Sequence, residues 1–271
     1  MRGAPNTRDP NRYVVLIEQV FRNRYSPGAT DLEFSRDEIT EAATQLNIRV
    51  PKNLGDIVYS FRYRVALPEW VRSCAPEGQE WIIQPAGRGR YRFVAVANAR
   101  ISPTQTLAET KIPDATPGVI ARYALGDEQA LLARLRYNRL IDIFTGVTCY
   151  SLQSHLRTSV AGLGQVETDE VYVGLDRRGV HYVFPVQAKA GTDSISVVQI
   201  EQDLALCAAR FPNLVCRPIA AQFMANSVIA LFELEQSEKG VVVSAERHYR
   251  LTPATGVSDQ DLERYRHRTD G

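Results

Sequence analysis

The spacing of apolar residues changes several times along this chain, and each change marks an element. Val14, Ile17, Val20 and Phe21 recur three and four positions apart, which predicts a helix over residues 12–23. Ser35 followed by Glu38 is a helix-start signal, because each side chain can satisfy a free backbone N–H of the other's turn. That helix is expected to reach residue 46, and Asn53 opens a third, NLGDIVYSFRYR. Two β-type runs follow at 80–84 and 90–96, around the turn Pro85-Ala86-Gly87-Arg88-Gly89.

Residues 101–118 are rich in Pro, Thr and Ser and poor in large apolar side chains, so a boundary is expected there. Beyond it a long amphipathic helix over 127–145 carries Leu131, Leu132, Leu135, Leu140 and Ile143 on one face. Residues 151–158 alternate Gln153, His155 and Arg157, consistent with a polar strand face or a groove-facing loop. Two strands are expected within 165–190, a helix over 196–211, further strands at 217–223 and 228–233, and a short exposed helix after 257. The reading is an α/β protein of two domains, 1–105 and 119–271, joined by a linker at 106–118.

The chemistry concentrates in QVETDEVYVGLDRRGVHYVFPVQAKA, residues 165–190. Period two puts Glu167 and Asp169 on one face of the first strand, and Gln187 and Lys189 on one face of the second. If the strands pair, carboxylates, an amide oxygen and an ammonium meet on one surface. Hard oxygen donors suit Mg²⁺, and a lysine beside the ion can orient or deprotonate a water. The plainer alternative is a solvated cross-strand charge pair. Lys189, however, ends an otherwise apolar strand, which predicts a central, mostly buried place where charges mark function.

An acidic strand, a turn, and then (Asp/Glu/Gln)-x-Lys resembles the core of the PD-(D/E)xK nuclease superfamily, which includes most type II restriction endonucleases. The resemblance spans residues 125–235. It implies a restriction-endonuclease-like mixed-sheet core flanked by helices, with Asp169, Gln187, Lys189 and Glu167 as catalytic residues. Asp169, Gln187 and the backbone carbonyl of Ala188 would hold Mg²⁺, and a homodimer would cut a short sequence in double-stranded DNA. Two departures stand out: no proline precedes Asp169, and Gln187 replaces an acid, so Glu167 or another carboxylate must compensate. The family often carries a supporting glutamate on the preceding helix, where Glu128 is found. The helix dipole alone favours an acid there, and that reading is preferred. Gln199 and Gln202 face the site if their helix packs its first turn against Lys189.

Three helices followed by a hairpin is the order of a winged helix-turn-helix. In that winged-helix-like module Lys52, Tyr59, Arg62 and Arg64 lie on or beside the third helix, and Arg88, Arg90 and Arg92 on the wing. These residues, with Gln153, His155 and Arg157 of the core, are the expected DNA contacts, since guanidinium suits guanine edges and phosphates. A net charge of +1 offers no global polycation, so any DNA affinity must be local. Four cysteines without a CxxC pair fit reduced thiols, and no run of ~18 apolar residues predicts a membrane span. The expected location is cytoplasmic. Two rivals remain open: a non-catalytic DNA-binding regulator built on a degenerate nuclease fold, and a structure- or modification-directed nuclease of repair or defence.

Overall fold

The computed structural model describes residues 10–63, 65–97, 99–123, 128–190, 194–238 and 240–268. Contacts divide the chain into two units, Met1–Ala99 with Ser159–Gly164, and Arg100–Thr158 with Gln165–Gly271. Among the described residues no helix is long and apolar enough to cross a membrane.

The N-terminal unit runs α1 (Pro10–Arg24), β1 (Asp31–Ser35), α2 (Arg36–Gln45), α3 (Leu54–Tyr63), α4 (Glu69–Ser73), β2 (Glu80–Pro85) and β3 (Arg90–Val96). The expected capping box is present, with the Ser35 backbone N–H donating to Glu38 at 2.9 Å. Two elements were not expected, β1 and the short α4. β1 completes an antiparallel sheet of order β1-β3-β2. Phe21 anchors the core, meeting Trp81 and Phe93 edge-on at 5.1 and 5.0 Å between ring centroids. Such pairs add about 1 kcal/mol each beyond the area they bury.

The C-terminal unit opens with β4 (Arg100–Ile101), β5 (Glu109–Pro113), α5 (Gly118–Tyr123), α6 (Glu128–Tyr137) and α7 (Leu140–Thr145). It continues with β6 (Thr148–Val160), β7 (Gly164–Leu175), β8 (His181–Lys189), β9 (Ile195–Ser196), α8 (Val197–Arg210) and β10 (Val215–Cys216). β11 (Ile219–Phe223), β12 (Val228–Ser237), β13 (Gly240–Thr252) and α9 (Asp259–Arg266) complete it. Among the described residues the main sheet has order β5-β13-β12-β11-β8-β7-β6, with β10 beside β8, and β4 pairs with β9 separately. β7 and β8 are antiparallel, β8 and β11 parallel, and β13 pairs parallel with β5. The sheet is therefore mixed. Phe184, Val186 and Ala188 of β8 join the core with Leu131, Leu132 and Leu135 of α6, while Gln187 turns to α8. Helices thus flank both faces.

Two expectations need correction. Residues 106–118 are not a free linker, because 109–113 form β5 at the sheet edge. The helix expected over 127–145 is two helices. Arg139 takes a left-handed conformation (φ 50°), and buried Asn138 bonds Ala115, Asp114 and Thr116 there. Asp127 lies outside the described residues. Of the two readings of residues 151–158 the strand holds, since they belong to the long edge strand β6.

Candidate active site

The β7–β8 ladder runs from Leu175 opposite His181 to Glu170 opposite Val186. At the next residue the Asp169 side chain takes over, its Oδ2 accepting the Ala188 backbone N–H at 2.8 Å. The last residues of β8 pair on the other side, Gln187 with Ala220 and Lys189 with Gln222 of β11. Asp169 therefore sits where β7 ends its pairing with a central strand. Burial pushes its pKa up, the Ala188 N–H and Lys189 ammonium oppose that rise, and Glu128 adds to it. A carboxylate so placed gains from any further positive charge brought to it.

Lys189 is found beside it. Its Nζ lies 2.7 Å from Glu128 Oε1 at the first turn of α6, the lysine side chain 15% exposed and the glutamate 38%. The sequence reading preferred a dipole role for Glu128, but the helix directs its carboxylate to Lys189. That the helix precedes the acidic strand was the available signal.

Gln187 is 1% exposed, and both ends of its amide are bonded to protein. Its Nε2 donates to both Asp203 oxygens, at 3.1 and 3.0 Å, and to the Glu167 backbone carbonyl at 3.2 Å. Its Oε1 accepts from Gln199 Nε2 at 3.2 Å. Thr168 also donates to Asp203. Asp203 is buried on α8, and desolvation raises its pKa to about 7, against the lowering effect of Thr168 and Gln187 and with a further rise from Asp169. Sequence reasoning placed Gln199 near the site and missed Asp203. Four-residue spacing on one helix puts both on one face, and that was the signal.

Glu167 lies 3.0 Å from Arg157 Nε and 3.9 Å from His155 Nδ1. His155 has φ 50°, rare for a residue within a strand, and its Nε2 meets Gln129 Nε2 at 2.8 Å. The structure thus gathers Asp169, Gln187, Ala188 and Lys189, with Glu167, His155 and Arg157 beside them, and adds Glu128, Gln199 and Asp203. Gln153 is exposed on β6.

The residues fit a hard cation in a restricted sense. Among the described residues no three His, Cys, Asp or Glu side chains are grouped as a metal cage. Mg²⁺ ordinarily uses one or two carboxylates and fills the rest of its octahedron with water and substrate oxygens. The half-buried Asp169 carboxylate, of raised proton affinity, suits that requirement.

The expected DNA contacts of the N-terminal unit fall unevenly. Lys52 is exposed before α3, and Tyr59, 43% exposed, meets Tyr63 edge-on at 4.9 Å. The Arg62 guanidinium lies over the Tyr63 ring at 4.8 Å. Arg64 lies outside the described residues. Arg88 is exposed in the β2–β3 turn. Arg90 and Arg92 lie on β3 and pair with Glu33 at 2.6 Å and Asp31 at 3.2 Å on β1. Arg92 also donates to Gln84 at 2.9 and 3.1 Å. The unexpected strand supplies acids opposite them, so they do not form the cluster of unopposed positive charge expected of a wing.

No protein-family model, curated protein or solved structure matches this chain.

Proposed function

We propose that this protein is a Mg²⁺-dependent endonuclease acting on double-stranded DNA, with a PD-(D/E)xK-like core in its C-terminal unit. The observation that carries the reading is the meeting of Asp169 with Ala188 and Lys189 at the end of the β7–β8 ladder, with Glu128 on the lysine. Asp169 and, in part, Glu167 offer oxygens to the ion, which when bound would polarise the scissile phosphate and acidify a water. Lys189 Nζ donates to Glu128 Oε1 at 2.7 Å. An ammonium there orients the attacking water and offsets charge gathering on the phosphoryl oxygens. Lys189, with its side chain 15% exposed, is largely shielded from screening by bulk water.

A winged-helix-like role for the N-terminal unit is supported by its strand order β1-β3-β2 with α2 and α3 between the first two strands of the chain. In that role Lys52 and Tyr59 on or beside α3, and Arg88 in the turn, are the exposed residues offered to DNA, while Arg62 has its Nε and Nη2 buried. Cutting at a fixed short sequence as a homodimer follows from the resemblance to restriction enzymes and belongs to the same proposal.

One observation favours a second reading, a DNA-binding regulator without catalysis: the position of the usual second acid holds Gln187, whose amide is bonded to protein at both ends. Incubating supercoiled plasmid with the purified protein in Mg²⁺, beside an EDTA control, decides between them. Mg²⁺-dependent nicking or linearisation supports the nuclease. Shifted but uncut DNA in both lanes supports the regulator.

A further inference from the structure

The bonding of Gln187 fixes which way its amide points. Gln199 Oε1 accepts the Ser196 backbone N–H at 3.4 Å, so its Nε2 is the atom turned to Gln187. Gln187 must answer with oxygen, which sends its own Nε2 to Asp203 and the Glu167 carbonyl. The reverse orientation would set oxygen against oxygen at both. Gln187 therefore grips the Asp203 carboxylate by design of its surroundings.

Asp203 itself is 1% exposed, and its hydrogen-bond partners among the described residues, Thr168 and Gln187, are neutral. A buried carboxylate without a cation costs several kcal/mol and persists where a ligand or reaction uses it. It sits about one hydrogen bond beyond the side chain at 187, on the side of the Glu167 backbone, and it feels the charge of Asp169. We propose that Asp203 of α8 is the second carboxylate of the site, taking the part that a residue at 187 cannot play, and that Gln187 is a positioning residue that holds it. The site then has two acids from different elements, Asp169 of β7 and Asp203 of α8, the second held by the Gln187 amide. This rests on the nuclease reading.

The test is an exchange of charge within the full chain. Asp203→Asn keeps the shape of the side chain and removes its charge, and Gln187→Glu in that background returns a carboxylate one bond away. Binding of Mn²⁺ is followed by titration calorimetry, with melting as the control for folding and plasmid cleavage as a second readout. We expect Asp203→Asn to melt cooperatively and to bind Mn²⁺ at least about tenfold more weakly. The double variant Gln187→Glu with Asp203→Asn should recover most of that affinity. Wild-type affinity in Asp203→Asn, no recovery in the double variant, or loss of cooperative melting in both would each overturn the assignment, the last by making Asp203 a purely structural group. If the wild type itself neither binds Mn²⁺ nor cleaves, the nuclease reading falls and takes the assignment with it. If the wild type binds and cleaves while Asp203→Asn matches it, only the assignment falls.

Discussion

Two sets of polar groups, one in each unit of this protein, obey different rules. On the N-terminal sheet Arg90 and Arg92 meet Glu33 and Asp31 with side chains 42–63% exposed. Water screens such pairs, and each contributes roughly 0–1 kcal/mol. In the C-terminal unit Gln187 of β8 and Asp203 of α8 are each 1% exposed and have exchanged water for a fixed set of partners. The first set would be nearly as stable without its charges. The second would be more stable as packed hydrophobes, so its retention calls for a use. Apparent basicity along the sequence is a poor guide to a binding face, while a costly buried group is a good guide to a site.

The largest effects should come from breaking the buried set. Asp169→Ala and Lys189→Ala should each melt cooperatively and lower plasmid cleavage by ~10²-fold or more, the usual scale for one electrostatic or acid–base group. Wild-type cleavage by either folded variant would remove that residue from the chemistry.

Gln187→Leu should come next. It takes the amide donor from Asp203 and from the Glu167 carbonyl, a loss of roughly 1–3 kcal/mol in urea unfolding. An unchanged midpoint would mean that the amide bridge contributes nothing to the fold.

A pH series sharpens the contrast further. The folded-state pKa of Asp203 is raised from 3.8 to about 7, so the folded chain holds its proton more tightly than the unfolded chain does. Stability from this group is therefore complete below the unfolded value and is lost as pH rises through the folded one. In metal-free protein the melting temperature should fall between about pH 4 and about pH 7, and Asp203→Asn should flatten that fall. Parallel curves for the two proteins would contradict the burial argument.

The smallest effect belongs to the exposed set. Arg90→Ala or Arg92→Ala should shift unfolding by no more than ~1 kcal/mol. With their charges already opposed by Glu33 and Asp31, neither should weaken DNA binding as much as Arg88→Ala, for which ~1–3 kcal/mol is expected if it touches a base edge. A gel-shift series in Ca²⁺ ranks the three, and equal losses would return Arg90 and Arg92 to the binding face.

Much of the frame was legible in sequence. The helices near 12–23, 36–46 and 196–211 and the strand pair within 165–189 follow from periods of 3.6 and 2, which the backbone imposes locally. Asp169 and Lys189 were legible as partners because one turn joins their strands. β1 was not, since Leu32 and Phe34 are its only apolar residues and its pairing lies some sixty positions away, Glu33 opposite Arg92. β5 was not, because its short run of mixed polarity becomes a strand only when β13 lies beside it.

By itself the sequence determined where the chain can be helix or strand and which strand ends carry acids, an amide and a lysine. Only the tertiary structure decided that Glu128 meets Lys189, that Gln187 holds Asp203, and that Arg90 and Arg92 have acidic partners. The periods arise from contacts within a few residues, whereas those meetings depend on strand order and helix placement, set by how the whole apolar surface is buried.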